Sequence, residues 1–242
     1  MTDLRALRNL ATRGLELISA SASGPTGDAA LAWRIRQAAP SRAEVYLYGA
    51  IDGWELDGND LAREIRALDV DGIDLRVNSP GGYVFDGIAV YAALVDHRAE
   101  VTSHVDGLAA SAASFIAQAG TTRNIIRPGR MMIHDARGIA IGDPAVMREM
   151  ATLLDDISDS IAEVYADRAA DRAGETTAVW RQRMRDTTWY SAQQAVDAGL
   201  ADTVVDPSRP DDGKDGDGDG AASARAQTIR ARHRVRTMTG RR

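Results

Sequence analysis

The sequence predicts an α/β fold built from repeated β-turn-α units, and three observations carry that expectation. Twice, an alternating apolar run gives way to a turn of small residues and then to a stretch with helical periodicity. The first unit runs from Gly72 to Gly82 and on through Val84 to His97; the second runs from Glu100 to Gly107 and on through Ser111 to Gly120. Such units put their turns at the carboxyl ends of strands, where α/β proteins hold active groups. The third observation is the stretch Asp106 to Gly120, DGLAASAASFIAQAG, with Ser111 among Gly107, Ala109, Ala110, Ala112 and Ala113. Small residues permit the tight turn that an exposed nucleophile entering a helix requires, and they equally suit a plain close-packed helix start.

Composition bounds the function. The 242 residues suffice for one substantial domain with extensions. A formal net charge of -6 argues against a general polyanion binder. With no cysteine in the chain, disulfides, thiol catalysis and cysteine-held metals are excluded. No apolar run approaches the roughly 18 residues of a membrane span. The N-terminal stretch has Leu4, Leu7, Leu10, Leu15 and Ile18 at near-helical spacing, which suits a flexible leader or a docking helix.

Taken in order, residues 1–31 read as leader and linker, since the small, turn-rich run from Ala20 separates the leader from the body. One domain is expected over 32–205. Ala32 to Gln37 alternates as an edge strand, the segment with Pro40 turns, and Ala43 to Ile51 is β-branched and aromatic enough for a buried strand. Leu61, Ile65 and Leu68 share one helix face. After the two β-turn-α units, Arg123 to Ile126 and Arg130 to His134 read as short strands around Pro128-Gly129. Asp143-Pro144 starts a helix whose stripe, Met147, Met150, Leu153, Leu154, Ile157, Ile161 and Val164 to Tyr165, is core or oligomer contact. Thr176 to Arg185 forms a further helix, and Ser191 starts another that ends at Gly199 before a last short strand.

From Asp206 the composition becomes rich in Asp and Gly and then basic, so residues 206–242 are expected to be a disordered tail. Asp215, Asp217 and Asp219 before Gly220 imitate a calcium loop. The twelfth position is Ala226 in place of the bidentate glutamate, so no metal is expected there.

A nucleophilic serine needs a base and donors for its oxyanion. His134 ends the apolar run Met131 to Ile133 and would project at a strand's carboxyl end, beside the serine turn. The turn Ser79-Pro80-Gly81-Gly82 frees backbone N–H groups to face a cleft. These residues, NSPGG, then GLAAS with Ser111 29 positions after Gly82, then MIH, resemble the Clp-type serine peptidases (ClpP). The flanking text, WRI with AEVYLYGAI, HDARG, and TTWYSAQQAVDAGLAD, is most similar to phage ClpP-related head-maturation proteases.

The resemblance implies a ClpP/crotonase-like fold of repeated ββα units. It also implies Ser111 as nucleophile, His134 as general base, and the backbone N–H groups of Gly82 and Ala112 as the oxyanion hole. The third member of the triad does not carry over cleanly. Asp186 is taken for it, with Asp135, Asp171 and a triad without a carboxylate as the alternatives. RGIAIGD after His134 would match the strand that lines the family's peptide groove. No cofactor is expected. The resemblance further implies a homo-oligomeric ring acting on capsid or scaffold polypeptides in the host cytoplasm or inside the procapsid, with no membrane or nucleic-acid partner. The competing functions are a non-catalytic assembly factor on the same fold and, with less support, a crotonase-like acyl-CoA enzyme.

Overall fold

Strands whose inward positions are Val, Leu and Ile, and whose outward positions are charged or aromatic, form a sheet with one dry face. This is what residues 33–52, 56–171 and 174–206 do; these are the residues described by the structure, a computed structural model. The expected leader, and the expected tail apart from Asp206, lie outside the described residues.

Among the described residues eight strands make one sheet, six of them in the order β1 (Trp33–Ala39), β2 (Arg42–Ile51), β3 (Gly72–Gly82), β4 (Glu100–Ala110), β5 (Thr122–Ile126), β8 (Thr203–Val205), with the other two branching from β4. The edge pair β1 and β2 is antiparallel, and β2 to β5 and β8 are parallel. On the dry face Val45, Leu47, Leu75, Val77, Val101 and Val105 are buried. Helix α1 (Gly58–Ala67) contributes Leu61 and Ile65 to the same core, and α2 (Val84–Asp96) contributes Val90 and Leu94. Asp57 caps α1 by accepting from the N–H groups of Asn59 and Asp60. The other face is a half-buried polar ladder. Arg42 and His104 both bond Asp74, and Arg76 and the Tyr48 hydroxyl both bond Asp106.

The branching of β4 positions the site. Its first half, Thr102 to Val105, pairs with β5, while Leu108 to Ala110 pairs in parallel with Arg130 to Met132 of β6 (Arg130–Ile133). Parallel strands in that register end at the same level, so the residues just beyond each come together. Those residues are Ser111 and His134.

The sequence places most of these elements within a few residues, and the exceptions have physical causes. Ser79 to Gly82, expected as a turn, stays in β3: bulges beside Ala50 and Ser79 let Gly81 and Gly82 pair with Ala50 and Ile51. For the same reason β4 runs three residues past Gly107, since β6 supplies it with a second partner. Strand β7 (Thr188–Ser191) was not expected; it pairs antiparallel with β6. Residues 137–143, expected to match a groove-lining strand, carry no regular structure, and Ile139 and Ile141 are exposed. No strand in the described chain lies beside them to pair with.

Short helix α3 (Ala112–Ile116), continued by a 3₁₀ turn to Ala119, follows β4. Asp143 caps α4 (Pro144–Arg168) through the N–H groups of Ala145 and Val146. Only the later part of its apolar stripe is core: Ile157, Ile161 and Tyr165 are buried, whereas Val146, Met147 and Leu153 are exposed. Helix α5 (Thr177–Arg185) packs on α4 through the fully buried Trp180, whose ring lies 5.5 Å from that of Tyr165. Helix α6 (Ala192–Ala198) opens with a capping box between Ser191 and Gln194 and closes on Gly199 at φ 86°, as the sequence predicts. Buried Arg123 ties the far edge together by bonding Asp202, Gln118 and the Gly199 carbonyl. Among the described residues no helix is long and apolar enough to cross a membrane.

Candidate active site

Ser111 sits at the junction of β4 and α3 with φ 54° and ψ -126°, a left-handed conformation that a residue with a Cβ rarely adopts. The surroundings hold it there. Its N–H donates to the Met132 carbonyl at 2.9 Å, and its carbonyl accepts from the Ser114 N–H at 2.9 Å and the Ser114 hydroxyl at 2.6 Å. Ser114 is itself buried and bonded to the Tyr165 hydroxyl at 2.7 Å. Strand, turn and long helix α4 therefore converge on the backbone of one residue. The Ser111 side chain makes no capping bond to α3, which leaves Oγ facing outward.

His134 Nε2 lies 2.9 Å from that Oγ. Its Nδ1 lies 2.5 Å from the backbone carbonyl oxygen of Asp135. A carbonyl oxygen only accepts, so Nδ1 carries the hydrogen and the neutral imidazole turns its Nε2 lone pair to the serine. Burial and the nearby positive charge of Arg137 press the His134 pKa below the usual histidine value, against the opposing pull of Asp135. The ring is thus kept neutral and able to accept a proton.

The turn at the end of β3 leans on this junction. A Cβ added to Gly81 would come 2.6 Å from the Ala110 carbonyl oxygen, 2.7 Å from the Ala112 nitrogen and 2.8 Å from the Ser111 Cβ. Gly82 is set against the neighbouring strand, with an added Cβ 1.9 Å from the Ile51 carbonyl oxygen. The two glycines have φ 88° and 151°, so both positions need a residue without a side chain. Ala112 begins α3, and the first N–H groups of a helix have no partner within it. Of the residues singled out in the sequence, Ser111, Ala112 and His134 come together here, and the glycine turn joins them with Gly81 nearest.

Asp186 does not. It is exposed at the C-cap of α5, and its carboxylate accepts from Gln182 Nε2 at 3.0 Å. A one-turn shift of the helix, which would bring it to His134, is opposed by the burial of Trp180 and Met184 on the other side of α5. The Asp135 carboxylate is also turned away, bonded to the buried guanidinium of Arg181, which bonds Asp155 and Asp159 of α4 as well. Asp171 is exposed just beyond the end of α4. What faces Nδ1 is a main-chain carbonyl. Sequence reasoning has no direct signal for a carbonyl's direction, although Arg181, a charge on the apolar face of a helix beside Trp180, marks a buried anchor.

A strained serine at the end of a parallel strand, bonded to a neutral histidine, defines a serine-hydrolase type of centre on an α/β sheet. The sequence profile of the Clp protease family matches residues 42–208. Three relatives are similar over a little more than half of the chain. The ATP-dependent Clp protease proteolytic subunit 2 of Synechococcus sp. is 33% identical over 136 residues, covering 55% of this chain and 67% of the relative. The corresponding proteolytic subunit of Chlorella vulgaris is 33% identical over 136 residues, with 55% and 66% covered. That of Bacteroides fragilis is 30% identical over 135 residues, with 55% and 63% covered. The chain thus spans about two thirds of the length of these relatives. It belongs to the Clp protease family, a family of serine-type peptidases.

Proposed function

We propose that the chain is a serine endopeptidase in which Ser111 is the nucleophile and His134 the general base. The observation that carries this reading is the 2.9 Å approach of His134 Nε2 to the Oγ of a serine held at positive φ. Ser111 Oγ attacks a peptide carbonyl as its proton passes to Nε2. His134 then gives that proton to the leaving amine, and a water deprotonated by the same nitrogen releases the acyl group and restores the serine. The N–H groups of Ala112 and of Gly82, the glycine of the family's pattern, are the candidate donors to the oxyanion, because the Gly81 N–H is committed to Ser79 Oγ at 3.1 Å while Gly81 itself packs against the serine turn.

For substrate, the motifs WRI, HDARG and TTWYSAQQAVDAGLAD favour the phage head-maturation branch, which gives capsid or scaffold polypeptides cut during head assembly. The exposed Val146, Met147, Leu153, Ile139 and Ile141 supply an apolar surface suited to a homo-oligomeric ring. An active-site-directed fluorophosphonate tests the enzyme reading. It is expected to label the full chain at Ser111, and Ser111→Ala to abolish labelling together with cleavage of a co-expressed capsid protein. A folded, assembled preparation that takes no label excludes the peptidase. Labelling without capsid cleavage excludes the substrate and leaves the chemistry standing.

A further inference from the structure

Resting on the assignment of Ser111 and His134 above, we propose that the group orienting His134 is the peptide unit between Asp135 and Ala136, and that Ser158 on α4 is the positioning residue that holds it. The carbonyl oxygen of that unit accepts from His134 Nδ1 at 2.5 Å. Its N–H, on Ala136, donates to Ser158 Oγ at 2.9 Å. Ser158 is 1% exposed, and its hydroxyl donates to the Leu154 carbonyl at 2.7 Å, which leaves a lone pair for the Ala136 N–H. The peptide plane is therefore gripped from both edges, by the imidazole on one side and by a helix-borne hydroxyl on the other.

Asp135 is fixed from α5 as well. Its N–H donates to the Met184 carbonyl at 3.2 Å, and its carboxylate is bonded to Arg181. Arg181 in turn spans to Asp155, at 2.7 Å, and Asp159 of α4. These anchors hold the two peptide units around Asp135, so the direction of its carbonyl is set by how α4 and α5 pack. A carbonyl keeps the imidazole in the tautomer that a carboxylate would select, because both only accept. It supplies less negative charge to the imidazolium formed during the reaction, and the polarisation of the peptide by the Ser158 bond offsets part of that difference.

The burial of a serine on the apolar stripe of α4, between Ile157 and Ile161, is otherwise unexplained. A hydroxyl there contributes less to packing than an aliphatic side chain, and it stands where the Ala136 N–H would be left without a partner. The clamp also differs in kind from a catalytic group, since Ser158 touches neither substrate nor the reacting atoms.

The test uses the full chain, a fluorophosphonate probe and ¹⁵N-histidine spectra. Ser158→Ala is expected to slow labelling of Ser111 roughly 10-fold, as loosened positioning does, and to turn the His134 spectrum from the Nδ1-protonated tautomer to a mixture. Ser158→Thr, which keeps Oγ, is expected to restore both. Asp186→Asn is expected to label at the wild-type rate. The inference is overturned if Ser158→Ala leaves rate and tautomer unchanged, or if Asp186→Asn slows labelling as deeply as His134→Ala. Because Asp186 is at the surface, that arm stands even where a Ser158 variant does not fold. If wild type takes no label, the peptidase assignment fails, while the tautomer comparison still reads the clamp by itself.

Discussion

The two successive strand-to-helix junctions, β3 into α2 and β4 into α3, solve the same geometric problem with opposite residues. At each the backbone swings into positive φ: Gly81 and Gly82, still paired in the last residues of β3, at 88° and 151°, and Ser111, just past β4, at 54°. At the first junction the cause is space, because Gly82 meets the Ile51 carbonyl and Gly81 meets the serine turn. At the second, a residue with a side chain accepts backbone strain, and its Oγ arrives within reach of His134. Glycine there would relieve the strain and remove the oxygen proposed as the nucleophile. Strain held at one position by many bonds to its backbone is the mark of a site selected for function over stability.

The largest effect expected from breaking this contrast is at Gly82. An alanine Cβ would sit 1.9 Å from the Ile51 carbonyl oxygen, so β2 and β3 must part at their carboxyl ends. Gly82→Ala is expected to cost more than about 4 kcal/mol of stability, read as loss of a cooperative melting transition. A variant that melts near wild type would show that the backbone relaxes there and that the glycine is not required by space.

Ser111→Gly sharpens the other half. It is expected to raise stability by roughly 1 kcal/mol, equivalent to about 2–4 °C in Tm, because glycine takes this φ and ψ without strain, while labelling is lost. Ser111→Ala, with its Cβ retained, should lose labelling without that gain. Equal melting of the two variants would mean that the turn stores no strain.

The smallest effect concerns the histidine that joins the two strands. In the proposed mechanism His134 acts as a neutral base, so the labelling rate is expected to rise with pH through its folded pKa, which lies below the usual histidine value. Arg137 contributes to that depression by its charge. Removing a positive charge favours the protonated ring, so Arg137→Ala is expected to move the midpoint of the labelling profile to higher pH. A midpoint that stays in place would assign the depression to burial alone.

Much of this was legible in the residue order. The β-turn-α units, the glycine turn, the small residues around Ser111, and a histidine ending the strand Met131 to Ile133 are all local patterns, and they fall where the chain forms β3, α2, β4, α3 and β6. The branching of β4 was not legible, because Leu108 to Ala110 reads as part of a turn until β6 is laid beside it. Nor was β7, since Thr188 to Ser191 is too short to show an alternation and takes its strand form from pairing with β6.

The triad divides along the same line. By itself the sequence singled out the serine and the histidine that the structure brings together, because each is placed by the end of its own strand and by the size of its immediate neighbours. The partner of the imidazole was decided by tertiary structure. Residue order places six aspartates across Asp135, α4 and the end of α5, and nothing local tells which carboxylate is free. Packing of α5 on α4 through Trp180 brings Arg181 to three of them, leaves Asp186 on the surface with Gln182, and aims the Asp135 carbonyl at Nδ1. The direction of a peptide plane is set by the groups at both its edges, and here those groups lie far apart in the chain.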